Sequence, residues 1–176
     1  MFEYRCENMK TKLIHEIRAV KNKKELANII SAQRISEEVL ADILKFLKDG
    51  ASEIEVANFI KKSFIKHSAP ILSFPPIVAF GKNTANIHHK PNKTKLKNGD
   101  MAMLDFGCAV NHYCSDITRT YFWGKKDNRT NAKQNKIYSA VLEAQNRAIK
   151  KIERGERRAS VIDKTARDLE LQQGQE

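Results

Sequence analysis

Apolar residues in the first third of the chain recur every three or four positions, which is the spacing of amphipathic helices. Over Leu13–Ala32 this spacing predicts a lead-in segment followed by a helix. The stripe Ile35–Leu47 predicts a second helix, which Gly50 can end because glycine tolerates the left-handed conformation of a helix cap. Ser52 and Glu55 fit a capping box, so a third helix is predicted to begin there.

The middle of the chain changes from helical to extended patterning. Pro75-Pro76 would break a helix, and the apolar run Ile77–Ala79 after it predicts a strand. Gly81–Asn98 is polar and rich in Asn and Lys, which predicts a loop. The β-rich runs Met101–Val110 and Tyr113–Trp123, joined by a short polar link, predict a hairpin.

Helical spacing returns in the last third of the chain. Lys133–Ile152 predicts a long helix, a loop containing Gly155 follows, and Val161–Leu169 is amphipathic again. The whole pattern predicts an α+β fold in which helices cover a small antiparallel sheet. No internal repeat or low-complexity tract is visible.

Two aspartates on the predicted hairpin are the main candidates for chemistry. A tight loop at Val110-Asn111 would pair Asp105 directly with Asp116, with their Cβ atoms about 4.5–5.5 Å apart on one face. Like charges at that distance repel, and Asp105 interrupts an otherwise buried strand. A divalent cation compensates such a pair, because it prefers hard anionic oxygen ligands.

An alternative without a site fits the same residues. One aspartate can face solvent or cap a turn, and a bulge near Gly107 would shift the register of the hairpin. Thr118 and Thr120 share the face of Asp116, whereas Arg119 lies on the other face. The two hydroxyls are candidate donors to the carboxylates, or simply good strand formers.

The histidines and cysteines are less informative. Of His88 and His89, at most one is expected to share a site with the aspartates, because adjacent side chains point in different directions. Plain solvent exposure is the alternative for either residue, and it is the expectation for the remaining histidines, His15, His67 and His112. The three cysteines, Cys6, Cys108 and Cys114, form no CxxC pair, so reduced thiols in a cytoplasmic protein are expected.

Composition narrows the class of protein. The chain has 176 residues, of which 41% are hydrophobic and 30% charged, so it is expected to fold around a core. Its formal net charge of +11 suits nucleic acid, but the basic stretches lack spaced aromatic residues, so nucleic acid is not expected as a partner. No stretch is long and apolar enough for a membrane span, and membrane insertion is not expected.

Several short motifs of the sequence together resemble those of the pita-bread metallopeptidases. They are Ile77–Gly81 leading to His88 and His89, then Gly99-Asp100 leading to Asp105-Phe106-Gly107, and finally Tyr113–Thr120. Asp-Phe-Gly and Ser-Asp-Ile-Thr-Arg-Thr make the chain more similar to the Xaa-Pro aminopeptidase and prolidase branch than to the methionine aminopeptidases. The resemblance covers nearly the whole chain.

The resemblance implies a dinuclear metal-dependent exopeptidase that hydrolyses the peptide bond before proline. Asp105 and Asp116 match the first two metal ligands, with Asp116 bridging two divalent ions, which are Mn, Co or Zn in this family. His88 matches the histidine near the scissile bond. The implied substrate is a peptide with proline at its second position. Residues 1–12 would be a lead-in segment, and residues 13–176 part of the catalytic domain.

The chain also departs from the family pattern. The family completes its site with one His and two Glu from the second half of the domain, and no residue here matches them; Glu170 and Glu176 match no family ligand. Weak metal binding and no activity of this chain alone are therefore expected, with a separate C-terminal half as a partner and a homodimer as a further expectation. The alternative is a non-catalytic module of the same fold that binds protein or RNA.

Overall fold

The computed structural model describes residues 14–124 and 130–173 and divides the chain into two compact units after Gly124. The first unit contains helices α1 (Lys23–Phe46) and α2 (Glu53–Lys66), strands β1 (Ile77–Phe80), β2 (Met101–Phe106), β3 (Ala109–Val110), β4 (Tyr113–Cys114) and β5 (Ile117–Phe122), and a 3-10 turn (Gly81–Ala85). The second contains helices α3 (Thr130–Glu153) and α4 (Ala159–Gln173). The predicted lead-in segment 1–12, with Cys6, lies outside the described residues, and the assignment of residues 13–176 to one domain stays a prediction.

Helix α1 is continuous where the sequence predicted two helices. Residues 14–19 are helical, and a capping box of Asn22 and Glu25 then starts α1. The predicted break after Ala32 is wrong, because no glycine or proline interrupts the chain there and one buried stripe continues through it, formed by Ala32, Ser36, Val39 and Ile43. The helix ends at Phe46 with Leu47 as its cap, so Gly50, at a φ of 80°, shapes the turn to α2 instead of capping α1.

Helix α2 begins as predicted. The Ser52 hydroxyl accepts a hydrogen bond from the Glu55 amide at 3.3 Å, and the Glu55 carboxylate accepts one from the Ser52 amide at 2.7 Å. This exchange satisfies two amides that a helix start leaves without a partner.

The main sheet is antiparallel, with the strand order β1-β2-β5, so β2 is central. Burial alternates along β2: Ala102, Leu104 and Phe106 are buried. These residues join the core with the apolar faces of α1 and α2, where Phe64 packs edge-on against Phe106 with ring centroids 6.0 Å apart. Asp105 therefore lies on the face of the sheet that points away from this core.

The predicted hairpin forms, but its turn is one residue later than predicted. The turn residues are Asn111 and His112, with φ values of 48° and 70°. Two successive left-handed residues are typical of a type I′ turn, and asparagine tolerates this conformation far better than the β-branched Val110. The predicted direct pairing of Asp105 with Asp116 is therefore wrong.

The hairpin is interrupted between its base and its tip. The base is the pairing of β2 with β5, where Asp105 is opposite Thr118, and the tip is the pairing of β3 with β4, where Ala109 is opposite Cys114. Equal numbers of residues separate these two pairs on each strand. No bulge shifts the register, contrary to the alternative considered from the sequence.

The second unit is a pair of helices that pack against each other. Gly155, at a φ of 93°, follows α3, and its amide donates to the Ile152 carbonyl at 3.0 Å, which ends the helix. The predicted long helix is thus confirmed, with its start at Thr130. Glu176 lies outside the described residues. Among the helices that are described, none has the length and apolar character to cross a membrane.

Candidate metal centre

A cavity of about 450 Å³ opens beside the face of the sheet that points away from the core. Phe74–Ile77 forms an apolar wall, and His88–Pro91 lines the cavity from the long loop. Asp105 and Asp116 complete the lining. All three residues that the sequence singled out for a site, His88 and the two aspartates, therefore border the same space.

The two aspartates interact although they are not directly opposed. Asp116 lies just before β5, two residues from Thr118, the partner of Asp105, so the two carboxylates are diagonal neighbours on one face. Burial raises the pKa of Asp105 above its usual value, and the charge of Asp116 raises it further. The repulsion predicted from the sequence is present.

Thr118 partly relieves that repulsion. Its hydroxyl donates to Asp105 Oδ1 at 3.0 Å, and this hydrogen bond lowers the pKa of Asp105, in opposition to burial. Thr120 pairs instead with Met103, and Arg119 is opposite Leu104, where its guanidinium donates to the Thr118 carbonyl at 2.9 Å. Of the two candidate threonines, Thr118 is the one that donates to an aspartate.

The donor set suits a hard divalent cation but is small. Two carboxylates supply anionic oxygen ligands, and the pKa of Asp105 is raised mainly by burial and, to a smaller extent, by the charge of Asp116. Within residues 14–124 and 130–173, no group of three or more His, Cys, Asp or Glu side chains could hold a metal ion. The residues present thus fit part of a metal site.

Both neighbouring histidines line the cavity, but the ring of His89 is bound to Glu53, and the expectation that at most one of them shares a site with the aspartates stays a prediction. His88 is exposed, whereas the His89 side chain is 10% exposed and its Nε2 lies 2.7 Å from Glu53 Oε2. His67, expected to be exposed, is 22% exposed and lies between Glu38 at 3.1 Å and Asp42 at 3.0 Å.

Gly107 allows the two strands to approach each other closely between the aspartates. A Cβ atom at this position would lie 2.0 Å from the Ser115 carbonyl oxygen and 3.1 Å from Ser73 Oγ. Ser73 Oγ donates to the carbonyls of Ser115 at 2.7 Å and Cys108 at 2.9 Å, which closes the gap between the strands. Only a residue without a side chain fits here.

Both described cysteines, Cys108 and Cys114, are free thiols, as expected. Cys108 is buried, while Cys114 is exposed.

The sequence reasoning missed Glu53. This residue is fully buried at the start of α2. Its position four residues before Ala57 places it on the apolar stripe of the helix, a signal that could have identified it as a buried carboxylate.

Comparison with known sequences decides the family. The pattern of metallopeptidase family M24 matches residues 27–174. The chain belongs to this family. The predicted family is thereby confirmed.

Several relatives of this chain carry the names of Xaa-Pro peptidases. A Mycoplasma pneumoniae protein, provisionally named as an Xaa-Pro aminopeptidase, is 40% identical over 154 residues, which are 88% of this chain and 43% of that protein. A prolidase structure from Thermococcus sibiricus matches with a TM-score of 0.83 and 36% identity, over 93% of this chain and 44% of that chain. An X-Pro aminopeptidase structure from Thermotoga maritima matches with a TM-score of 0.82 and 30% identity, over 93% and 45%.

These matches confirm the predicted pita-bread fold class for the part of the fold that this M24 chain covers. The chain spans less than half the length of the relatives it matches.

Proposed function

We propose that this chain contributes part of the active site of a metal-dependent exopeptidase that cleaves the bond before proline. The observation that carries the proposal is the cavity that Asp105, Asp116 and His88 share. The M24 family assignment and the Xaa-Pro relatives support the same reaction class.

In this proposal Asp105 and Asp116 would hold the divalent cations, Mn, Co or Zn. When bound, such cations supply Lewis-acid activation of water and of the peptide carbonyl. The hydroxyl of Thr118 fixes the orientation of the Asp105 carboxylate. His88, which lines the same cavity from the long loop, would contact the substrate near the scissile bond.

The apolar wall Phe74–Ile77 gives the cavity a surface for an apolar part of the substrate, and it keeps water from that side. A peptide with proline at its second position suits a wall of this kind. This substrate class is also what the names of the relatives state for those proteins.

Two carboxylates leave most coordination positions of each cation without a protein ligand. We therefore propose that the remaining ligands come from the second half of an M24 catalytic domain. The chain alone then binds metal weakly and does not hydrolyse peptides. A cytoplasmic location and a homodimer stay predictions from the sequence.

The test measures release of the N-terminal residue from an Xaa-Pro peptide with added Mn²⁺, first with this chain alone and then with a polypeptide covering the second half of the domain. Activity is expected only in the mixture, and Asp105→Asn or Asp116→Asn abolishes it. Asp163→Asn, a change at an exposed aspartate in the second unit, is the matched control and leaves it unchanged.

Two results would contradict the proposal. Hydrolysis by the chain alone would show that the two aspartates need no further ligands. RNA binding that weakens with salt, together with no Mn²⁺ uptake in the mixture, would favour the non-catalytic module instead.

A further inference from the structure

The buried carboxylate of Glu53 gathers four hydrogen-bond donors. Its Oε1 accepts from the Phe80 amide and from Asn83 Nδ2, each at 2.8 Å. Its Oε2 accepts from His89 Nε2 at 2.7 Å and from the Asn92 amide at 3.0 Å. The side chain is fully buried, so these donors replace the water that the carboxylate loses.

The donors belong to three consecutive parts of the chain. Phe80 ends β1, Asn83 lies in the 3-10 turn, and His89 and Asn92 lie in the loop that follows. A single group on α2 thus holds both ends of the segment that carries His88. Hydrogen bonds to an ionised acceptor are stronger than those between neutral groups, so this attachment is firm.

His88 sits directly before the anchored residue. Its amide donates to Asn86 Oδ1 at 3.2 Å, and the next residue, His89, is fixed through its ring to Glu53. The backbone of His88 is therefore held on both sides, while its own imidazole remains exposed at the cavity of Asp105 and Asp116.

We propose that Glu53 and His89 are positioning residues that hold the loop so that the His88 imidazole faces the two aspartates. The part of this inference that concerns catalysis rests on the proposed function, because His88 is the substrate-contacting histidine there. Neither positioning residue contacts the substrate in this arrangement. His89 donates its Nε2 proton to Glu53, and glutamine is the side chain whose amide nitrogen can replace that donor.

The first experiment needs no activity. Hydrogen exchange of the Asn92 amide and the ring resonances of His88 are measured by NMR in His89→Ala, His89→Gln and the control His67→Ala. The control also removes a histidine held by carboxylates, but between α1 and α2. We expect His89→Ala to accelerate exchange at Asn92 by about tenfold or more and to move the His88 resonances.

His89→Gln restores both signals if the hydrogen bond to Glu53 is what matters, and the control changes neither. Equal behaviour of the alanine and glutamine variants would overturn the inference, as would a change at Asn92 of less than about twofold. Glu53→Gln adds a second measurement, since it keeps one acceptor oxygen and replaces the other by a donor. It is expected to accelerate exchange at either the Phe80 amide or the Asn92 amide, because these two amides bind different oxygens of Glu53, and unchanged exchange at both would contradict the inference.

The second experiment uses the active mixture described above. His89→Ala is expected to lower kcat more than it raises KM, with recovery in His89→Gln. If the unmodified mixture has no activity, the proposed function fails while the NMR result still stands. If the loop moves and kcat does not change, the positioning role is wrong although the function holds.

Discussion

Replacing Gly107 by alanine tests how tightly the hairpin must close between Asp105 and Asp116. The new Cβ would lie 2.0 Å from the Ser115 carbonyl oxygen, whereas contacts under 3.0 Å essentially do not occur, so the strands must separate by about 1 Å. That movement lengthens two hydrogen bonds beyond their normal range: Ser73 Oγ to the Ser115 carbonyl, at 2.7 Å, and the Ser115 amide to the Cys108 carbonyl, at 2.9 Å.

The expected loss follows from these contacts. Overpacking costs about 1–3 kcal/mol, and each weakened hydrogen bond adds about 1 kcal/mol, so Gly107→Ala should lower the free energy of unfolding by about 3–5 kcal/mol. Urea denaturation followed by circular dichroism measures this change. In the active mixture with the second half of the domain, the same variant should also weaken Mn²⁺ binding, because the spacing of the aspartates changes.

Gly50→Ala is the matched control. Gly50 has a φ of 80°, but nothing lies within 4 Å of the position of its Cβ, so alanine there costs only the left-handed backbone, about 1–2 kcal/mol. The reasoning is refuted if Gly107→Ala costs no more than Gly50→Ala.

Three further predictions concern charge. Thr118→Val removes the donor to Asp105, so the pKa of that carboxyl should rise further in an NMR titration, and serine at the same position should restore it. Asp105→Asn should raise the free energy of unfolding of the metal-free chain at pH 7 by less than about 1 kcal/mol, because the raised pKa means that the folded state disfavours the ionised form. This gain in stability should vanish below the usual pKa of aspartate. A loss of stability at pH 7 would contradict the prediction. The hydrogen bond from His67 lowers the pKa of Asp42, and a weaker contribution comes from the hydrogen bond of Lys66. Asp42 therefore contributes stability at neutral pH, and this contribution is lost as the pH falls through the lowered pKa. Asp42→Asn should lower the thermal midpoint at pH 7 and leave it unchanged in strong acid.

Local chemistry made much of the fold predictable. The capping box at Ser52 and the hairpin followed from rules that involve neighbouring residues only. The predicted turn at Val110-Asn111 is one residue too early, because backbone conformation decides the position of a turn. Asn111 and His112 accept left-handed φ values, and Val110 does not. The continuity of α1 was also not predicted, because a gap between two apolar runs does not end a helix where no glycine or proline interrupts the chain.

The site was predictable in its members but not in its arrangement. Asp105 and Asp116 stood out because two carboxylates on a strand pair need compensation. Glu53 could not be identified as a member of the site in this way. Its donors lie 27 to 39 residues further along the chain, and no local pattern indicates that a loop will fold back over a buried carboxylate. The hydrogen bond of His89 to Glu53 could not be predicted for the same reason.

The equal residue counts on the two sides of the hairpin interruption restrict how this element can change in length. The tip Ala109–Cys114 is in phase with the base, so adding or deleting one residue on each strand together would leave the base pairing intact. An insertion on one strand alone would invert the alternation of every later side chain and turn one aspartate toward the core. Length variation in this hairpin should therefore come in matched pairs.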